Sequence, residues 1–310
     1  MKEVLVTGGA GFIGSHIQDR LLDQGHAVSV VDNLTTGSIN NVRPEAKFYL
    51  VDIRDRDRLA KVIGDVRPDI IFHLAAQSQV PYSMDHPQED NDVNVGGTVN
   101  LLELARGTRV EKIIYSNTGG ALYGEVSADD LPIDEDAQEP KPTSFYGLSK
   151  LTAERNLRLY GDVFDMDWVS LRYANVYGPR QTTHSEVGII STFIDKFLHG
   201  VAPTINGDGL HTRDYVYVGD VVDANLLAMD HAKPDYFNIS SGIEVSNLEI
   251  YRLVTSVLGI SAQPTFGPER PGDVRRSVLA SGKAQAILGW SPKISLQEGI
   301  SATIAYFQEQ

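Results

Sequence analysis

The sequence has no cysteine among its 310 residues. That single absence excludes disulfides, thiolate zinc sites, iron–sulfur clusters and cysteine nucleophiles. Histidine does not fill the gap, because the eight histidines are scattered and no pair has the spacing of metal ligands. No metal is expected. Long apolar runs are missing as well, and none approaches the ~20 residues that a bilayer span requires. The chain opens Met1-Lys2-Glu3-Val4-Leu5-Val6 and then turns glycine-rich, without the apolar core and cleavage site of a signal peptide. A cytoplasmic chain without a membrane partner is the expectation. Basic residues are in deficit, 27 against 41 acidic ones, for a net charge of −14. Such a surface repels polyanions. The densest basic stretch, Arg54 to Lys61, is interleaved with Asp55 and Asp57 and reads as a solvated helix face, so nucleic acid is not expected as a partner.

What remains is ordinary globular usage, 42% hydrophobic with 28 glycines and 14 prolines. A chain of this length can bury about 75% of its unfolded surface without staples. Short apolar runs alternate with segments of helical period: Val4–Thr7, Phe12–Leu22, Ala27–Asp32, Phe48–Asp52, Arg58–Ile63, Ile70–Ala75, Asn91–Ala105 and Lys112–Ser116. This alternation predicts an α/β fold, a doubly wound parallel sheet covered on both faces. Residues 124–142, with seven acids and three prolines, read as a surface loop before a helix that begins near Ser144, and a further strand is expected at Trp168–Tyr173. Beyond Gly178 the elements shorten and proline and glycine increase. A dinucleotide-binding domain over residues 1–176 and a smaller α/β domain over 177–310 are expected, with the segment near 214–240 returning to the first.

The first motif is Thr7-Gly8-Gly9-Ala10-Gly11-Phe12-Ile13-Gly14, between a strand and an amphipathic helix. Glycines at 8, 11 and 14 permit a tight turn, close approach of backbone to a pyrophosphate, and close packing of helix on strand. Asp32 ends the second strand eighteen residues after Gly14, where an acid binds the ribose hydroxyls of the adenosine half. A carboxylate there repels a 2′-phosphate, and the following Asn33-Leu34-Thr35-Thr36-Gly37 holds no arginine, so NAD is expected rather than NADP. Asp52-Ile53 ends the third strand and is placed to meet the adenine, or alternatively to begin the next helix as a cap.

The second motif is Tyr146-Gly147-Leu148-Ser149-Lys150, with Thr118 upstream after Tyr115-Ser116-Asn117. Positions i and i+4 share a helix face, so Lys150 can sit beneath the Tyr146 phenol. An ammonium there, with a positive nicotinamide ring, would lower the phenol from its usual value of ~10 and make it a general base for an alcohol.

Together these stretches resemble the extended short-chain dehydrogenase/reductase family, and within it the UDP-hexose 4-epimerases. The likeness extends through His73-Leu74-Ala75-Ala76, Asn94-Val95-Gly96-Gly97-Thr98, Arg172 to Arg180, Arg213-Asp214-Tyr215-Val216 and Arg270-Pro271-Gly272-Asp273. It implies a Rossmann-type domain, a smaller domain for a nucleotide sugar, a UDP-sugar as substrate and a homodimer. By the same resemblance Tyr146 is the base, Lys150 its partner and a ligand of the nicotinamide ribose, and Thr118 the hydroxyl relay to the sugar. Leu74, Ala75, Ala76, Asn94, Ser116, Tyr173 and Val176 join the cofactor set. Ser83, Asn175, Ile189, Thr204, Arg213, Arg270, Asp273 and Ser277 join the substrate set, the two arginines for the pyrophosphate. The implied reaction is transient oxidation at C4, in which NAD is regenerated each cycle. Where related dehydratases carry Asp-Glu after the threonine, this chain has Gly119-Gly120, which removes the acid and base needed to eliminate water. Where hexose epimerases carry a bulky tyrosine, it has Ser277, which leaves room for an N-acetyl group. A UDP-glucuronate epimerase or decarboxylase, and a non-catalytic NAD-binding regulator, are the rival readings. His73 is expected as a hydrogen-bonded core residue, and Leu148, Leu151, Leu159 and Asn91–Ala105 as core or as a dimer face.

Overall fold

Val4 and Val6 of strand β1 (Glu3–Thr7) join one hydrophobic cluster and Leu5 joins another, because successive side chains of a strand point to opposite faces. The computed structural model describes residues 1–182, 188–269 and 274–310. The same division holds in β2 (Ala27–Asp32), flanks β3 (Lys47–Leu50), and recurs in β4 (Ile70–His73), β5 (Lys112–Thr118) and β6 (Asp167–Tyr173), where Phe72, Ile114 and Leu171 face one way and Ile71, Ile113 and Trp168 the other. After β6 the chain leaves the sheet for β7 (Asn175–Tyr177), β8 (Thr204–Asn206) and β9 (Thr212–Tyr217), then returns with β10 (Asp235–Ile239). The large sheet runs β10-β6-β5-β4-β1-β2-β3, with every pair parallel. Both faces are apolar, so both must be covered by helices.

Helices α1 (Phe12–Asp23), α2 (Arg56–Val66), α3 (Val80–Asp85), α4 (Pro87–Asn91), α5 (Thr98–Ala105) and α6 (Phe145–Phe164) fill the crossovers of the first half. The second half holds α7 (Ile189–Leu198), α8 (Val218–Asp230), α9 (Asn247–Leu258) and α10 (Leu296–Gln308). Leu59, Leu101 and Leu157 of α2, α5 and α6 bury one face of the sheet; Ile17 and Leu21 of α1 with Val221 and Ala228 of α8 bury the other. A third cluster gathers Ile194, Tyr251 and Ile304 from α7, α9 and α10. Beside it lies a small sheet in which β9 pairs with β7, with β11 (Glu244–Ser246) and, past β12 (Thr265–Gly267), with β13 (Arg276–Ser277). Strand β12 pairs with β8.

Three expectations need correction. The segment that returns to the large sheet is α8 with β10, whereas Thr212–Tyr217 belongs to the small sheet, because its partners Asn175–Tyr177 and Arg276–Ser277 lie there. The run Asn91–Ala105 is not one regular helix: a wider turn at Asp92–Gly97 separates α4 from α5. Residues 124–142 are not all surface, since Ile133 is buried against Leu279 and the Glu135 carboxylate accepts the Asn238 amide at 3.0 Å.

In the strand order the direction of winding reverses between β1 and β4. At such a point the crossovers diverge to opposite faces and leave a crevice at the C-terminal strand ends.

Candidate active site

The crevice is built on the loop between β1 and α1. A methyl on Gly14 would strike the carbonyl of Gly8 and lie 2.9 Å from the Gly9 Cα, so only glycine lets α1 start this close to the strand end. The helix begins at Phe12 with its free backbone amides facing the crevice, the arrangement that attracts a diphosphate. Asp32 closes the next edge. Its carboxylate accepts the amides of Ala10 at 3.0 Å and Leu34 at 2.8 Å, which fixes the loop and still leaves lone pairs for ribose hydroxyls. Burial pushes the Asp32 carboxyl upward and these amides oppose the shift. Among the described residues no metal-holding cluster of His, Asp and Glu occurs.

Of the expected cofactor residues, Gly8, Gly11, Phe12, Ile13, Gly14, Asp32, Asn33, Thr36, Asp52, Ile53, Leu74, Ala75, Ala76, Ser116, Tyr146, Lys150 and Tyr173 line this one crevice. Asp52 is not a helix cap, because Asp55 takes that place and accepts the Arg58 amide. Asp52 instead accepts from Asn33 at 3.0 Å and from the Arg54 guanidinium at 2.8 Å, which holds its carboxyl at about 2. Gly37, Asn94 and Val176 do not line the crevice. Gly37 packs against the Ala10 backbone. Asn94 is buried and grips the backbone of Gln77 by both its amide groups, so it holds the wall from behind. Val176 pairs with Val216 in the small sheet. Sequence reasoning missed Arg54, Gln77, Tyr82 and Glu89, which also line the crevice. Their signal was weak, because each comes from a loop or short helix that only the fold carries to this edge.

At the other end stand Tyr146 and Lys150. Ser144 caps α6 by accepting the Gly147 amide at 3.1 Å, which sets Tyr146 in the first turn. Gly147 packs on the carbonyl of Ala121 so closely that a methyl would collide with it, and this seats the first turn against the segment after Thr118. The Thr118 hydroxyl accepts the Ala121 amide at 3.1 Å, which leaves its proton to donate. Lys150 is buried, with Nζ donating to the Ser116 carbonyl at 2.6 Å and lying 4.2 Å from the centre of the Tyr115 ring. Burial pulls its ammonium down to about 7. Tyr173 shares its hydroxyl with Ser116 at 2.9 Å and accepts from Asn225, so it is fixed beside the site.

The expected substrate residues divide. Ser83 is completely buried and its hydroxyl is committed, donating to the Val80 carbonyl at 2.7 Å and accepting the Tyr146 amide at 3.0 Å. It therefore acts on the first turn of α6 rather than on a ligand. Arg213 and Ser277 are direct partners across β9 and β13, and Arg213 has no carboxylate partner among the described residues. Arg275 and Arg276 are paired instead with Asp208 and Glu244. A methyl on Gly120 would lie 3.5 Å from the Asn175 Oδ1, Ile189 opens α7, and Thr204 lies exposed on β8. Arg270 and Asp273 lie outside the described residues.

Residues 4–240 match the NAD-dependent epimerase/dehydratase family. The chain belongs to this family. It is an NAD-dependent enzyme with a Rossmann-like fold, and the crevice fits that cofactor. It is 41% identical to the UDP-glucose 4-epimerase of Mycolicibacterium smegmatis, over 99% of this chain and 98% of the other. The structure of the Thermotoga maritima UDP-glucose 4-epimerase with UDP-glucose superimposes with a TM-score of 0.95 at 41% identity, covering 99% of this chain and 98% of that one. The Thermus thermophilus UDP-glucose 4-epimerase in complex with NAD gives 0.93 at 42% identity, covering 98% of each. No helix among the described residues is long and apolar enough to cross a membrane.

Proposed function

We propose that this family member interconverts C4 epimers of UDP-hexoses through a transient 4-keto sugar, and that it accepts the N-acetylated pair as well as UDP-glucose and UDP-galactose. The observation that carries the reading is Tyr146 and Lys150 together in the lining of the NAD crevice, with Gly119-Gly120 after Thr118 where a dehydratase needs its acid and base. When bound, NAD supplies a reversible hydride acceptor. Tyr146, directly or through the Thr118 hydroxyl, takes the proton of the sugar 4-OH and later returns it. Lys150 holds positive charge under the phenol and favours its ionised form. Arg213, with Arg270, grips the diphosphate while the keto sugar turns to present its other face. Ser277, small and beside Arg213, leaves volume for a C2 substituent. A second copy of the chain is expected on the exposed side of α6, where Phe145, Leu148, Leu159 and Val163 are between 43% and 60% exposed; Leu151 is core.

Incubation of the purified protein with UDP-glucose, UDP-N-acetylglucosamine and UDP-glucuronate, without added reductant, tests the reading. The C4 epimer of the first two is expected. Turnover of the glucuronate alone would move the assignment to a uronate epimerase, and no turnover with NAD bound would favour a regulator. Sedimentation reads the dimer.

A further inference from the structure

The turn that carries Tyr146 and Lys150 rests on a buried carboxylate that the mechanism above does not use. Asp90, on α4, is completely buried. It accepts from Gln77 Nε2 at 2.7 Å, from Asn94 Nδ2 at 3.2 Å and from the Ser149 hydroxyl at 2.5 Å. All three donors are neutral. Among the described residues no cation lies within ion-pair distance of Asp90, and none of the carboxylates lies within that distance of Lys150. Lys150 follows Ser149 in sequence and is held by a carbonyl and a ring face. Asp90 bonds to the residue before Lys150, so a carboxyl and an ammonium are buried within electrostatic reach of one another, each with neutral hydrogen-bond partners; burial pushes the Asp90 carboxyl up, and its three donors and Lys150 oppose that shift. Burial disfavours each ion, and mutual attraction opposes that penalty.

Of the other groups around Lys150 only Glu154, among the described residues, also pushes its ammonium up, and it does so less than Asp90. Glu154, further along α6, is held by Arg172 at 2.5 and 3.0 Å and by Asn117 and Ser170, so that pair is neutral as a whole. His73 on β4 is bonded on both ring nitrogens by threonines, and burial keeps it neutral. Tyr115 on β5 and Tyr173 on β6 are phenols that burial keeps protonated. We propose that Asp90 is a positioning residue that keeps Lys150 charged, and so sets the ionisation of the base without touching substrate or cofactor. The inference rests on the assignment of Tyr146 and Lys150 given above. The direction of the effect follows from charge: burial pulls the ammonium down and the Asp90 carboxylate pushes it back up.

The test uses the NAD-loaded enzyme and two variants, Asp90→Asn and Lys150→Met, with their combination. Replacing the charge by an amide of equal size should move the alkaline limb of the kcat–pH profile down by about one unit or more, because Lys150 then loses its proton earlier. A limb that stays in place, whatever the loss in amplitude, overturns the proposal. The melting temperature gives a readout independent of turnover. Each single variant leaves one buried charge without its opposite, so the double variant should melt above at least the worse single, and Asp90→Asn should cost less in the Lys150→Met background than alone. Equal cost in both backgrounds overturns the pairing, and this comparison still decides the matter where Asp90→Asn by itself does not fold. If Tyr146→Phe retains full turnover, it is the assignment of the base that fails, while the melting comparison continues to judge Asp90.

Discussion

His73 links the strand ends to the acid stability of the whole fold. Its Nδ1 lies 2.7 Å from the Thr7 hydroxyl and its Nε2 lies 2.9 Å from the Thr98 hydroxyl. Thr98 already donates to the Asn94 carbonyl at 2.6 Å, so it must accept from Nε2, and Nδ1 must accept from Thr7. The neutral ring is thus fully satisfied, and a second proton would face a hydroxyl that is pointing its own proton at the ring. Burial, and next the charge of Lys150, lower the imidazole to about 3, against ~6.5 in an unfolded chain. The folded value lies below the unfolded one, so in between it is the unfolded chain that binds the extra proton. The stability held by the neutral ring is complete above the unfolded value and is lost as the pH falls toward 3. Linkage gives a loss of about 2 kcal/mol between pH 7.5 and 5.0, a sizeable share of the 5–15 kcal/mol typical of a domain. Urea unfolding of the wild type and His73→Gln at pH 7.5, 6.0 and 5.0, with NAD held at the same saturation, measures it. The variant starts less stable but should lose about 2 kcal/mol less over this range. Equal losses in both proteins would refute the argument, because all other titrating groups are common to the two.

Other perturbations separate the roles of neighbouring parts. Gly147→Ala drives a methyl into the Ala121 carbonyl and should displace the first turn of α6, lowering kcat by about tenfold or more while NAD affinity, measured by titration, stays close to wild type. Arg172→Met leaves the Glu154 carboxylate buried without its cation and should cost about 3–5 kcal/mol in unfolding, most of which Glu154→Gln recovers in the double variant. Ser277→Tyr should suppress turnover of the N-acetylated UDP-sugars and spare the plain hexoses; equal loss on both would remove Ser277 as the determinant.

Much of this protein was determined by local order in the sequence. The glycine loop, Asp32, Tyr146 and Lys150 are each fixed relative to one strand end or one helix turn, and a spacing of three residues between the glycines or four between Tyr146 and Lys150 carries the geometry with it. The large sheet was legible for the same reason, since strands apolar on both faces have one way to be buried. Tertiary structure decided what depends on distant segments meeting. Only folding brings Asn33 to Asp52 at the adenosine end, places Asn94 and Ser83 behind the wall instead of in it, and sets Arg213 against Ser277. Only folding buries Asp90 and Lys150, sixty residues apart in the chain, within electrostatic reach of each other. The reason is that burial is a property of position in three dimensions. A sequence names the ionisable groups, and the packing around them decides which stay charged.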